Sequence, residues 1–345
     1  MKRHLNTLFI TQEKTFLRQH GETVEVRVEQ ETKLRVPLHN LDGIAVFAWD
    51  CTASAALLGA CAEADVAVSF HTPNGKFLSA SRGFTSGNVL LRRAQYRASD
   101  NPEATLAIAR NFVCAKIANC RSLLLRAARD HGQKRPAAGE RLLTAVDHLA
   151  HRVRFAQAAT HLEQLRGIEG DAATFYFAAF PHLLNADDLS FDGRERRPPA
   201  DPVNALLSFV YTLLVHDCRS ALESCGLDPQ CGFLHRDRPG RPSLALDLME
   251  EFRPIFADRA ALTLFNRQQL TAEDFEIREN SGCYLREDSR KTVLRHWQER
   301  KQSEIVHPLL EEKTTLGLLP HLQARLLARY LRGDLDAYPA YLSKG

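Results

Sequence analysis

Three residues that could carry metal chemistry lie close together in the sequence: His235, Asp247 and Glu250. The histidine ends one apolar run. The two acids stand three residues apart in a second apolar run, after a turn rich in proline and arginine. Residues three positions apart share one helix face, so the spacing predicts that both carboxylates point toward one spot. An imidazole and two carboxylates suit a divalent metal ion, and neighbouring arginines suit a phosphate-containing substrate. The arginines of this region are Arg236, Arg238, Arg241, Arg253 and Arg259.

A structural alternative exists for the same residues, namely a capping histidine and a solvated acidic face that includes Glu251. Another acid, Glu169, lies between two glycines in the string Gly167-Ile-Glu-Gly170, which we interpret as the end of a long amphipathic helix. Alone, this string fits a helix C-terminus with a solvated glutamate. If helix packing brings Glu169 beside His235, the mixed nitrogen and oxygen ligands suit Mn²⁺ or Mg²⁺ better than a thiolate-preferring metal.

The composition sets broad limits on the kind of protein. A length of 345 residues with 44% hydrophobic content allows one large core or two smaller ones. The net charge of +3 is only mildly basic, so charge alone does not establish nucleic-acid binding. Of the 45 basic residues, 35 are arginine, whose planar guanidinium suits bidentate phosphate contact, although a GC-rich genome gives the same bias.

The eight cysteines form no CxxC pair, which predicts reduced thiols. A zinc site made of Cys225, Cys231 and His235 would not match the spacing of a standard zinc finger. The N-terminal residues lack the apolar segment of a signal peptide, and the longest apolar run, residues 203–215, is too short to cross a bilayer. We therefore expect a soluble, cytoplasmic protein without membrane contact.

Residue periodicity predicts an α+β protein with two domains. Short runs rich in β-branched residues fill the N-terminal part, and residues 23–28 alternate apolar and charged side chains as a half-buried strand does. Beyond residue 86 the pattern is helical, and Asn101-Pro102 and Asp201-Pro202 each mark a helix start. We predict a small β-sandwich-like domain over residues 1–85, followed by a larger all-α domain over residues 86–345.

Four stretches that follow the β-rich start carry a resemblance to a known family. They are residues 87–96, 165–170, 196–211 and 232–250. No single stretch is decisive, but their order and spacing resemble those of the CRISPR-associated adaptation integrases, usually called "Cas one", nearly from end to end. The sequence is most similar to the versions that accompany type I systems, and we expect subtype I-C.

The resemblance implies roles for individual residues and for partners. Glu169, His235 and Glu250 match the family's metal ligands, and Asp247 matches a further catalytic position. Glu250 stands where relatives often have aspartate, which lengthens the arm but keeps the charge. The implied activity is a Mg²⁺- or Mn²⁺-dependent endonuclease and integrase, which inserts DNA fragments as new spacers into a repeat array. The implied partners are double-stranded DNA, a second copy bound mainly through the β domains, and a small ferredoxin-like protein ("Cas two").

Basic residues in three places are candidates for DNA contact. They are Arg92 and Arg93 after the domain connector, Arg196 and Arg197 in a loop with Arg194, and Arg236, Arg238 and Arg241 beside His235. An ordinary solvated helix face explains the first pair equally well. Asn204, Ser208 and Tyr211 share a helix face as buried polar support for the site, and Trp297 is predicted to be a core residue.

Two rival functions remain open from the sequence. One is a stand-alone, structure-selective DNA nuclease that acts in repair or transposition. The other is a non-catalytic DNA-binding protein that has kept the same scaffold. The second rival is disfavoured because the chain has two acids and an imidazole at the matching positions, Glu169, His235 and Glu250.

Overall fold

The fold is described from a computed structural model that covers residues 6–41, 43–73, 77–81, 83, 89–132, 135–185, 188–195, 198–279 and 281–343. Its described N-terminal part contains two four-stranded sheets, one α-helix and a short 3-10 helix (Leu38–Asn40). In chain order, these elements are β1 (Thr7–Ile10), β2 (Thr15–His20), β3 (Thr23–Val28), β4 (Glu31–Pro37), β5 (Gly43–Phe47), β6 (Cys51–Ala53), α1 (Ala55–Glu63), β7 (Ala67–His71) and β8 (Phe77–Ser81).

The two sheets are built differently. In the sheet of order β4-β3-β2-β6, β2, β3 and β4 pair antiparallel, and β6 pairs parallel with β2. The turn between β2 and β3 contains Gly21 at φ +57°, a conformation that glycine adopts without steric cost. In the sheet of order β1-β5-β7-β8, three strands run parallel and β8 is antiparallel.

A separate apolar core holds the N-terminal part together. It includes Leu17, Val24 and Val26 from the first sheet and Leu57 from α1. The alternation predicted for residues 23–28 is therefore confirmed as β3, although Glu25 is also buried there. The predicted domain boundary at residues 85 and 86 lies outside the described residues.

Helices dominate the rest of the chain, which confirms the predicted α+β class. They are α2 (Val89–Asp100), α3 (Pro102–His131), α4 (Pro136–Ala158), α5 (Leu162–Ala179), α6 (Pro202–Ser224), α7 (Ser243–Glu250), α8 (Arg259–Asn266), α9 (Glu287–Lys301) and α10 (Leu319–Leu331). Asn101 caps α3 by accepting from the Glu103 and Ala104 amides, and Asp201 caps α6 by accepting from the Asn204 amide, as predicted. No helix in these described ranges is both long and apolar enough to cross a membrane.

The helical part also contains structure that the periodicity did not predict. Two short antiparallel hairpins lie within it: β9 (Phe275–Ile277) with β10 (Cys283–Leu285), and β11 (Glu304–Val306) with β12 (Lys313–Thr315). Three-residue strands are too short to show a period of two, so helical periodicity around them hides them. A π-helical turn over Arg253–Asp258 joins α7 to α8.

The interpretation of Gly167-Ile-Glu-Gly170 as a helix end was wrong. Both glycines lie inside α5, which continues to Ala179. An interior glycine costs about 1 kcal/mol relative to alanine, and packing of a helix against its neighbours overrides such a preference. Here α5 packs on both α3 and α4, and Leu165, Ala172 and Tyr176 are buried on its inner face.

Glu25 gives the first sheet a defined response to acid. Its side chain is fully buried and accepts hydrogen bonds from Arg18, Arg35 and Thr32 on the neighbouring strands. The hydrogen bonds from Arg18 and Arg35 lower the pKa of the Glu25 carboxyl from its ordinary value of 4.5 to about 2. A carboxyl with a depressed folded-state pKa stabilises the fold above its unfolded-state pKa. That stabilisation is lost as the pH falls from 4.5 toward 2.

We expect Glu25→Gln to lower the melting temperature at neutral pH. Between pH 4.5 and 2, the melting temperature of this variant should fall less steeply than that of the unchanged protein. Thermal unfolding across this pH range measures both effects. Glu29→Gln is the matched control, because the Glu29–Lys14 pair is exposed and contributes little. Equal pH profiles for the two variants would contradict a special role for Glu25.

Candidate active site

The loop that carries His235 is organised by one buried carboxylate, that of Asp247 on α7. One of its oxygens accepts from the amides of Phe233 and Leu234 at 2.6 and 2.9 Å. The other accepts from the His235 amide at 2.9 Å and lies 2.6 Å from Nδ1 of the His235 ring. With both oxygens engaged twice, Asp247 fixes the loop backbone and the ring orientation together, and Nε2 is left as the second ring nitrogen.

Two further features force this loop into place. A Cβ atom at Gly232 would lie 2.7 Å from Cβ of Ser243 and 2.9 Å from the Asp247 carboxylate, so only glycine permits the close approach of the loop to α7. On the other side, the Arg166 guanidinium of α5 donates two hydrogen bonds to the Leu234 carbonyl, at 2.6 and 2.8 Å. The His235 loop is thus clamped between α5 and α7.

Glu169 and Glu250 meet at a single point, which is the ammonium group of Lys116 on α3. Nζ of Lys116 lies 2.8 Å from Oε2 of Glu250 and contacts Oε1 of Glu169. The exposed fractions of the Lys116 and Glu250 side chains are 4% and 6%, whereas Glu169 is exposed by 25%. Two carboxylates from different helices therefore converge on one cation at the edge of the core.

A second cation contacts Glu250 from within the core. Arg253 approaches Oε2 of Glu250 at 3.1 Å, and its guanidinium packs over the rings of Tyr211 and Phe177. Burial raises the pKa of the Glu250 carboxyl, but the positive charges of Arg253 and then Lys116 outweigh burial and hold the pKa well below its ordinary value. Glu250 is consequently ionised throughout the neutral range.

The i, i+3 spacing of Asp247 and Glu250 places both on α7, yet their carboxylates do not point at one spot. Asp247 points into the backbone of the His235 loop, and Glu250 points toward Lys116 and Arg253. The prediction of a shared target was wrong, because each acid turned to the donors packed opposite it. The acidic partner of Glu250 at its point of convergence is Glu169.

An open cleft of about 760 Å³ runs past these residues. His235 and Glu250 line it together with Arg238 and Arg241 from the turn after the loop. The turn reverses at Gly240, whose φ is +75°. Two arginines at the mouth of a cleft that contains an imidazole and a carboxylate are suited to phosphate groups.

A largely buried polar layer forms part of the cleft wall, which Arg194, Ser208 and Tyr211 line. Asn204 is fully buried on α6, and Arg194 donates to its side-chain oxygen at 2.6 Å and to Oγ of Ser208 at 2.9 Å. The Tyr211 hydroxyl donates to the Asp258 carboxylate at 2.5 Å. Asn204 and Tyr211 are buried as predicted, whereas Ser208 is half-buried, and Trp297 is confirmed as a core residue that is only 1% exposed. The supporting role of the three α6 residues stays a prediction.

The remaining arginines have varied positions. Arg236 turns away from the cleft and pairs with Glu163 at 2.9 Å, and Arg92 donates to the Gly226 carbonyl. Arg93 is exposed on α2. Arg253 is buried, and Arg259 is half-buried beside Arg126 rather than in the turn after His235. Arg196 and Arg197 lie outside the described residues.

The side chains at the cleft include oxygen and nitrogen donors that could hold a divalent ion. Within the ranges that the structure describes, no three His, Cys, Asp or Glu side chains stand grouped around a common point. Two of the three predicted ligands, Glu169 and Glu250, nevertheless converge on one cation, and His235 lines the same cleft as Glu250. Hard carboxylate oxygens with one imidazole nitrogen fit Mg²⁺ or Mn²⁺.

Two residues of this site escaped the sequence analysis, Lys116 and Arg166. Lys116 lies in an apolar helical stretch of the sequence, between Ala115 and Ile117. A single lysine in such a stretch matches no motif that would indicate a functional site. Its sequence separation from Glu169 is 53 residues, so only helix packing brings the two together. The cysteines take no part in the site: all eight are free thiols, and burial raises the pKa of the Cys120 thiol above its ordinary range.

Comparison with known proteins decides the family. Residues 8–299 match the family described as CRISPR associated protein Cas1. The chain belongs to the Cas1 family. It is 53% identical to CRISPR-associated endonuclease Cas1 1 of Chlorobaculum tepidum, over 99% of both chains. It is 51% identical to CRISPR-associated endonuclease Cas1 2 of Rhodospirillum rubrum, over the whole of both chains.

Solved structures show the same Cas1 fold at lower identity. A Cas1 protein from Thermotoga maritima superposes with a TM-score of 0.81 at 21% identity, covering 99% of this chain and 100% of that one. A casposase bound to an integration product gives a TM-score of 0.84 at 23% identity, covering 98% of this chain and 94% of that one. The two-part architecture is thus the Cas1 architecture.

Asp247→Asn tests the positioning of His235 in this Cas1 chain. An amide nitrogen in place of Oδ2 would face the amide donors of Phe233 and Leu234, leaving buried donors unsatisfied at a cost of about 1–3 kcal/mol. We expect a lower free energy of unfolding in urea and loss of any His235-dependent activity. Asp237→Asn, in the exposed turn, is the matched control and should change neither quantity. Unchanged stability of Asp247→Asn would contradict the structural role of this carboxylate.

Proposed function

We propose that this Cas1-family chain is a metal-dependent DNA integrase and endonuclease of CRISPR adaptation, acting in the cytoplasm. The observation that carries the proposal is the convergence of Glu169 and Glu250 on one cation beside an oriented His235. Family membership supports the proposal, since its relatives are named CRISPR-associated endonucleases. The assignment to subtype I-C and the division at residue 85 remain predictions.

Glu169, His235 and Glu250 would hold the ion, which is Mg²⁺ or Mn²⁺ in this proposal. A bound ion of this kind polarises a phosphodiester and favours attack by an oxygen nucleophile. Asp247 keeps Nδ1 of His235 engaged, so the ring presents Nε2 as its remaining nitrogen. Arg238 and Arg241 bind DNA phosphates along the cleft, holding the backbone without reading its sequence.

The reaction is an exchange of phosphodiester bonds. The 3′-hydroxyl oxygen of an incoming DNA fragment forms a bond to a phosphorus atom of the repeat, and the bond from that phosphorus to the target strand's 3′ oxygen breaks. The proton of the attacking hydroxyl leaves, and the released 3′ oxygen gains one, so no covalent enzyme intermediate is required. Attack by water at the same phosphorus gives cleavage instead, which is the endonuclease activity.

The proposal includes two protein partners. One is a second copy of the chain, bound mainly through the N-terminal sheets. The other is the small ferredoxin-like protein that accompanies this family. One structure with the same fold is a Cas6-RT-Cas1–Cas2 complex, whose matching chain is covered over 36% of its length with a TM-score of 0.83. The presence of Cas2 in that complex supports the second partner for the present chain.

A plasmid integration assay tests this function. Purified protein is mixed with labelled duplex DNA carrying free 3′-hydroxyls and with a supercoiled plasmid that contains the repeat. The reactions contain Mn²⁺, Mg²⁺ or EDTA, with and without the small partner. We expect metal-dependent joining of the label to the plasmid. Nicking without joining, with the partner present, would favour a stand-alone nuclease, and no metal-dependent reaction would favour a binding protein.

We expect Glu169→Gln, His235→Asn and Glu250→Gln each to lower joining and nicking by more than about a hundredfold, because each removes a ligand from the proposed ion. Circular dichroism and melting curves check that the variants fold. Cys231→Ser is the control and should retain activity, because this thiol lies outside the ligand set and contacts Ser99. Full activity in any of the three variants would remove that residue from the site.

DNA affinity should fall with salt through the two arginines of the cleft. Each phosphate contact to duplex DNA contributes about −0.9 to the slope of log affinity against log salt. We expect Arg238→Gln or Arg241→Gln to weaken binding and to reduce that slope by about 1. Arg236→Gln is the matched control, because Arg236 pairs with Glu163 outside the cleft. Equal effects of all three, measured by fluorescence anisotropy, would count against the cleft as the DNA path.

A further inference from the structure

Lys116 on α3 stands at the meeting point of Glu169 and Glu250. Its side chain is 4% exposed, and its ammonium contacts one carboxylate from α5 and one from α7. An ammonium removed from water costs several kcal/mol unless it is paired, and here it contacts the side-chain oxygens of two glutamates. Lys116 therefore occupies a position that is built for a cation.

The formal charges show what an added divalent ion would do there. Lys116 and Arg253 carry +2 together, and Glu169 and Glu250 carry −2, so the four groups are balanced. A divalent ion at the same carboxylates, with both basic side chains still in place, would leave a net charge of +2. Like charges about 4 Å apart repel strongly in a poorly solvated site. One cation must therefore give way to the incoming ion.

The two basic side chains differ in their freedom to move. The Arg253 guanidinium is buried and packs over the rings of Tyr211 and Phe177, with centroid distances of 5.0 and 5.5 Å. Lys116 has a flexible four-carbon stem that ends beside Glu250, and Glu250 lines the open cleft. The ammonium of Lys116 can therefore swing toward water, whereas Arg253 is fixed.

We propose that Lys116 is a resident counter-ion of the metal site, which holds Glu169 and Glu250 together without metal and is displaced when a divalent ion binds. Lys116 thereby sets the affinity of the site: binding of the ion requires the loss of two ion pairs. This inference rests on the metal site of the proposed function. It makes Lys116 a positioning residue for the acids and a competitor of the ion.

Binding of Mn²⁺, followed by the electron paramagnetic resonance signal of the free ion, tests this directly and without any activity measurement. Lys116→Met and Lys116→Gln remove the charge, and we expect each to lower the Kd for Mn²⁺ by about tenfold or more, because no ammonium has to leave. Lys116→Arg keeps the charge and should bind Mn²⁺ no more tightly than the unchanged protein. In EDTA the two neutral variants should melt at a lower temperature than the unchanged protein. Addition of Mn²⁺ should raise their melting temperature more than it raises that of the unchanged protein.

Lys301→Met is the matched control for loss of a buried lysine. Lys301 is 1% exposed and pairs with Asp217 at 2.9 Å, away from the metal site. It should lower the melting temperature but leave the Kd for Mn²⁺ unchanged. The glutamine variant of Lys116 provides a second neutral side chain, with its own hydrogen-bonding groups, if the methionine variant does not fold.

Three outcomes are decisive. Tighter Mn²⁺ binding in the neutral variants alone supports displacement. Unchanged or weaker binding, while Glu250→Gln and His235→Asn abolish binding, overturns the role of Lys116 and leaves the metal site standing. Mn²⁺ binding that does not depend on Glu250 and His235 overturns the metal site and this inference together.

Discussion

The Glu250 carboxylate is almost completely removed from water, and it is ionised because two cations from different elements contact it. Arg253 approaches from the π-helical turn at 3.1 Å, and Lys116 approaches from α3 at 2.8 Å. An unpaired buried charge costs several kcal/mol, so these elements can pack only in an arrangement that brings the groups together. The candidate site is therefore part of the core and depends on the same packing.

Asp247 and Glu250 show how one short helix gives two acids different tasks. Asp247 is fully buried and takes amide donors from the loop before α7, which converts a potential ligand into the scaffold of His235. Glu250, three residues on, has basic side chains opposite it and remains a charged group at the cleft. Both residues carry a carboxylate. The groups packed around each one determine whether it positions another residue or stays a charged group at the cleft.

The cleft combines a rigid floor with a solvated mouth. Behind it, Tyr211 and Tyr176 both donate to the Asp258 carboxylate, which fixes the layer on which Arg253 packs. At the mouth, Arg238 is exposed and Arg241 is half-buried in a turn that reverses at Gly240. The buried groups hold the acids and the imidazole in place, and the guanidinium groups at the surface are suited to phosphate contacts that do not read base sequence. This division suits a site that acts on DNA of many sequences.

Local periodicity and capping residues were enough to predict β3, the starts of α3 and α6, and the α+β class. Backbone geometry alone sets those patterns. They did not reveal that α5 continues through Gly167 and Gly170, that Asp247 binds backbone amides, or that Lys116 reaches Glu169 and Glu250. Each of these depends on groups far apart in the chain. Only the packing of α3, α5 and α7 determines which donor faces which acid, because burial makes every unpaired charge costly.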